Sequence, residues 1–126
     1  MFQSWLRRRR SPQVLHPDGV IFRGEQDGVP EQQLKYELTK VFESRSDVEL
    51  AYLAIVSYQD GLDHNVALCV TGVIYPDRQG FVNDINKVVG KMLPANQHLD
   101  ILFASTTQQA QLEQVCRPFF ARGPSD

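Results

Sequence analysis

Two runs of branched and aromatic residues, 48–58 and 66–75, are separated only by the polar stretch Gln59-Asp60-Gly61-Leu62-Asp63-His64-Asn65. The composition of each run favours a strand, and the turn-forming residues between them make an antiparallel hairpin of two long strands. Side chains alternate along a strand, so Leu50, Tyr52, Ala54, Val56 and Tyr58 point one way while Ala51, Leu53 and Ile55 point the other. In the second run Val66, Leu68 and Val70 oppose Ala67, Cys69 and Val73. Neither face carries the polar set that a sheet shows to water. A fold built on this hairpin must cover it front and back.

The flanking sequence supplies the covers. Residues 20–22 form a short strand candidate, and residues 24–28 read as a loop of Gly, Glu, Gln and Asp. Pro30 then opens a helix in which Leu34, Leu38, Val41 and Phe42 share a stripe, with Glu31 and Lys35 expected as an i, i+4 pair on its wet side. A second helix carries Phe81, Ile85, Val88, Val89 and Met92 and stops at Leu93-Pro94. Residues 99–105 make a fourth strand. Ser105, Thr106 or Thr107 can cap a last helix with Ala110, Leu112, Val115 and Cys116, broken by Pro118. The order is strand, helix, strand, strand, helix, strand, helix. It predicts an α+β domain: an antiparallel four-stranded sheet in a ferredoxin-like βαββαβ order with an extra C-terminal helix. Residues 1–17 and 123–126 are read as tails and residues 18–122 as one domain, which is all that 126 residues accommodate. Two ways of covering the second sheet face stand open: the C-terminal helix, or another copy of the chain.

Charge narrows the partners. Four of the thirteen Lys and Arg are Arg7, Arg8, Arg9 and Arg10, leaving nine against fifteen Asp and Glu, a net charge of −6 for the remainder. An acidic body lacks the basic face that nucleic-acid binding requires. Phe2, Trp5 and Leu6 beside the arginines suit weak contact with an anionic membrane surface or a partner, but a frayed basic terminus is the favoured reading. The arginines lead into Ser11-Pro12 with no apolar segment, which argues against an export signal. Cys69 and Cys116 sit among apolar neighbours and are expected as reduced, buried thiols in a cytoplasm.

Candidate chemistry is sparse. Asp60, Asp63 and His64 are explained by turn formation, and His16, His64 and His98 lack partners at metal spacing. Ser57 and Ser105 have no nucleophile-elbow glycines. No catalytic residue, metal or cofactor is therefore expected. The two-sided apolar hairpin points to a non-enzymatic interaction module, self-associating as a homo-oligomer through its second sheet face or the edge of the hairpin, with Leu53, Ile55, Val73 and Tyr75 as the contact surface. The alternative is a small-ligand sensor whose site is the loop of Gly24, Glu25, Asp27 and Gly28.

Ala51-Tyr52-Leu53-Ala54 after an amphipathic helix, Leu93-Pro94 after the second helix, Leu99-Asp100-Ile101-Leu102 as the next strand, and Arg117-Pro118-Phe119-Phe120 near the end occur in a fixed order. Together they resemble the C-terminal domain of the enhanced serine sensitivity protein SseB family, over roughly residues 20–121. The family's closing Pro-Phe-Tyr reads Pro118-Phe119-Phe120 here, without the hydroxyl. The resemblance implies a bacterial cytoplasmic protein connected with amino-acid or sulfur metabolism through partners. It brings no catalytic residues.

Overall fold

The computed structural model describes residues 20–25, 28–57, 65–93 and 99–122. Its elements run β1 (Ile21–Glu25), α1 (Val29–Glu43), β2 (Leu50–Ser57), β3 (Asn65–Thr71), a 3-10 turn (Tyr75–Asp77), α2 (Arg78–Met92), β4 (Asp100–Phe103), α3 (Thr106–Glu113) and β5 (Phe120–Ala121). The expected α+β class holds, with three helices and a sheet of five strands. No helix among the described residues is long and apolar enough to cross a membrane.

The sheet departs from a ferredoxin-like, all-antiparallel plan. Its strands lie in the order β1-β2-β3-β4, so β1 and β2 are direct antiparallel neighbours although α1 joins them. A ferredoxin-like sheet instead interleaves strands from its two β-α-β units. β3 and β4 are parallel, because α2 carries the chain back across the sheet before the next strand begins. The fifth strand, β5, was not expected. It pairs antiparallel with Leu50 and Ala51 of β2, on the same flank where β1 pairs with residues 54–57.

The hairpin forms as its pattern dictates, with Leu53 opposite Leu68 and Ala54 opposite Ala67. Its two faces feed two separate clusters. Ala51, Leu53, Val66, Leu68, Val70, Ile101 and Phe103 meet Leu34, Leu38 and Phe42 of α1 and Phe81, Ile85 and Val89 of α2. On the reverse, Tyr52, Ala54, Val56, Ala67, Cys69 and Leu102 meet Leu112 of α3 and Cys116 just beyond it. The C-terminal helix therefore covers the second face within the monomer.

Local departures have physical causes. Glu31 and Lys35 are not on the wet side of α1: they are 3% and 9% exposed. Their positions, with Leu38 and Phe42, form one i, i+4, i+7, i+11 stripe, so they are carried toward the core with it. Gly72 adopts a positive φ of 99° beside the Asp47 carbonyl, a conformation and a gap that suit glycine. The resulting break in alternation turns Val73 into the Leu53 cluster, opposite to the side expected. α3 ends at Glu113, leaving Val115 40% exposed, while Gln108 is buried as part of the helix cap.

Candidate functional site

Leu53 and Val73, expected at a contact surface, are 0% and 5% exposed. Both belong to the core beneath α1 and α2, so the chain's own helices occupy the face that a partner was expected to take. Ile55 is half-buried, and Tyr75 lies in the 3-10 turn after β3. The ligand-loop candidates separate. Gly24 and Glu25 end β1, Gly28 precedes α1, and Asp27 lies outside the described residues. So do Trp5, Arg7, Arg8, Arg9 and Arg10, Asp60 and Asp63, and all three histidines.

Glu25 is the ligand-loop residue with a built environment. Its Oε2 lies 3.4 Å from Lys35 Nζ, and its Oε1 accepts from the Arg117 N–H at 3.3 Å. With Glu113, Cys116 and Arg117 it lines a surface cavity of about 250 Å³. A Cβ at Gly28 would sit 2.5 Å from Glu31 Oε1, the far end of a side chain that could turn aside. A second hollow, of about 370 Å³, is lined by Gln32, Gln33, Tyr36, Glu37 and Met92 on α1 and α2.

The nucleophile candidates are quenched by burial. Burial pushes the Cys116 thiol up to about 12 and moves Cys69 in the same direction, so neither forms appreciable thiolate near neutrality. Burial, reinforced by Glu113, also raises the Tyr52 hydroxyl to about 12; that hydroxyl donates to Glu113 Oε2 at 3.4 Å. Among the described residues no group of three His, Cys, Asp or Glu side chains could hold a metal ion.

The most elaborate polar construction lies at the end of α1. The Arg45 guanidinium donates to Asp47 at 2.9 and 3.0 Å and to Asp84 Oδ2 at 2.8 Å, tying α1 to α2. Hydrogen bonding from Arg45 holds the Asp47 carboxyl below its ordinary range. Beside it runs the C-terminal arm, residues 119–122. The Phe119 N–H donates to Ala51 O at 2.9 Å and the Arg122 N–H to Glu49 O at 2.8 Å. The Arg122 guanidinium donates to Val48 O at 2.8 Å, to Phe42 O at 2.9 Å and to Arg45 O. Two of these carbonyls belong to the last turn of α1 and the residues just after it, where the helix dipole is negative. Phe119 and Phe120 close on the Phe42 ring with centroids 5.9 and 5.3 Å away.

Sequence reasoning missed this arm as a structural element. The available signal was the aromatic pair followed by an arginine, which a two-residue strand does not announce by periodicity. No curated protein and no solved structure matches the chain. The family model described as the SseB protein C-terminal domain matches residues 27–122, beginning just before α1 and ending at the arginine that clamps it. The chain belongs to the SseB C-terminal domain family.

Proposed function

We propose that this domain is a non-enzymatic protein-interaction module that self-associates through the flank of β2 on which β1 and the C-terminal arm lie in line. The observation that carries this reading is the make-up of that flank. β1 is a five-residue strand at the end of the sheet, its pairing interrupted between Phe22 and Gly24, and Ile21 on it is 42% exposed. β5 adds only two residues below it. Such an edge presents main-chain donors and acceptors to another chain, and its brevity keeps the association weak and reversible. Sedimentation velocity from micromolar to millimolar concentration tests this: the expected result is a concentration-dependent monomer–dimer equilibrium. A strict monomer throughout rejects it. The bacterial cytoplasm belongs to the same proposal, supported by two free thiols.

A second reading, an amino-acid sensor, draws on the Glu25 cavity. Two carboxylates, Glu25 and Glu113, line it and suit an ammonium group. Thermal unfolding with serine and related amino acids separates the readings, since ligand at 100 times its Kd stabilises by about 2.7 kcal/mol. No shift with any of them rejects the sensor.

A further inference from the structure

Every partner just described for residues 119–122 lies far back in the chain. The Arg122 guanidinium reaches carbonyls 74, 77 and 80 residues away, and β5 pairs with the first residues of β2. The socket is made by the end of α1, the link that follows it and the start of β2; the plug is four residues long. α3 ends at Glu113, and between the buried Cys116 and this plug stand Arg117 and Pro118, both exposed, with the Arg117 N–H on Glu25 Oε1 at 3.3 Å. The residue before a proline favours extended backbone, so this link can straighten without unwinding a helical turn. Release of the plug is also modest in scale: Phe119 and Phe120 are half-buried, and Ala121 and Arg122 are exposed.

We infer, resting on the self-association reading above, that two copies of this chain associate by exchanging the arm. Residues 119–122 leave their own socket and seat in the identical socket of a second copy, which returns its own arm in a two-fold arrangement. The arm's own contacts are remade in the dimer: the three carbonyls on Arg122, the β2–β5 ladder and the rings on Phe42. The balance between the forms is then set by the conformation of the link and by concentration, because the arm's own socket competes at a high effective concentration. One consequence separates exchange from ordinary surface association. Weakening the plug loosens monomer and dimer alike, so it changes the speed of interconversion more than the dimer fraction.

Leu50 and Ala121 face each other across β2 and β5, which provides the test. A Leu50→Cys chain and an Ala121→Cys chain are mixed at high concentration, equilibrated and treated with oxidised glutathione. The expected product is a covalent heterodimer joined through the two introduced thiols, identified by peptide mass. Mixing Ala121→Cys with Ile74→Cys, an exposed position outside the socket, is expected to give at least tenfold less. The double variant Leu50→Cys/Ala121→Cys, kept dilute, should close within one chain. Arg122→Ala should speed heterodimer formation about tenfold, which corresponds to about 1.4 kcal/mol, with the dimer fraction nearly unchanged. If the double variant closes and the mixture does not cross-link, arm exchange is overturned. Sedimentation then decides the reading beneath it: a remaining dimer means another surface, and a strict monomer removes both. If the dilute double variant fails to close, the plug is not seated in solution and the inference falls as well.

Discussion

The two faces of the sheet are both apolar and yet are covered in different ways. On one face Leu53, Leu68, Ile101 and Phe103 stand against two 15-residue helices, and Phe42 stacks on Phe81 with centroids 6.0 Å apart and planes at 10°. On the other face the small residues Ala54, Ala67 and Cys69 stand among Tyr52, Val56 and Leu102, and the cover is an eight-residue helix contributing Leu112, with Cys116 beyond it. Large side chains hold a helix away from the sheet and demand many partners to fill the gap. Small ones leave less volume to fill, so Leu112 and Cys116, with Val20 and Phe22 packed beside them, complete the second cluster. An apolar sheet face is therefore not in itself a vacant one; side-chain size decides how much cover it needs.

The thick layer should be the more costly to damage. Phe42 packs against Phe81, Phe119 and Phe120, so Phe42→Ala empties the junction of α1, α2 and the arm. A loss of about 3–5 kcal/mol is expected in urea unfolding, because the cavity adds to the lost transfer free energy. A loss below about 1.5 kcal/mol, the range of a volume-conserving swap, would mean that this layer collapses freely and that the contrast between the faces is wrong. The thin layer should fail in the opposite sense, by overfilling. Ala67→Leu places three extra carbons where α3 seats on the sheet, and a cost of about 1–3 kcal/mol is expected. Stabilisation by this variant would show that the second face is under-packed.

How much of this was legible in the sequence follows from the same contrast. The hairpin, the register of its faces and helices α1 and α2 were readable because 3.6- and 2-residue periods persist over 7 to 15 residues. A cap at Ser105, Thr106 or Thr107 was readable as well, and Ser105 supplies it: its side chain accepts from the Gln108 N–H at 3.2 Å while Gln108 Oε1 accepts from the Ser105 N–H at 3.0 Å. Three things were not legible. Strand order depends on which elements pack together, a choice no local period encodes. The closure of the second face depends on how α3, Cys116, Val20 and Phe22 fit around Ala54 and Ala67, whereas a reading by polarity counts those alanines only as apolar. Residues 119–122 are held largely by backbone carbonyls, three of them on the Arg122 guanidinium, and carbonyls are the same in every residue. Leu53 and Val73, expected at the contact surface, lie on the other face, where α1 and α2 cover them, and that pairing of helices with a face is again a choice that polarity along the strand does not record.

The finest test of the contrast separates α3 from the rest of the molecule. Ser105→Ala removes one half of the capping box, for which about 1 kcal/mol is expected. Because α3 holds the thin layer through Leu112 and little else on its own length, this cost should appear as local lifting of the helix more than as global unfolding. Cys116 reports the difference. Its thiol is held up by burial, so lifting α3 moves its ionisation down toward the ordinary range and raises the thiolate fraction at any mildly alkaline pH. Alkylation of Cys116 by iodoacetamide at about pH 8, within half a unit of an unperturbed thiol, should accelerate about fivefold, the factor for 1 kcal/mol of easier opening. Phe42→Ala, matched in denaturant to the same global stability, should leave that rate closer to the wild-type value. Equal acceleration by both variants would mean that Cys116 is reached only through whole-domain unfolding, and the two faces would then be one cooperative layer system instead of a thick core with a separately hinged lid.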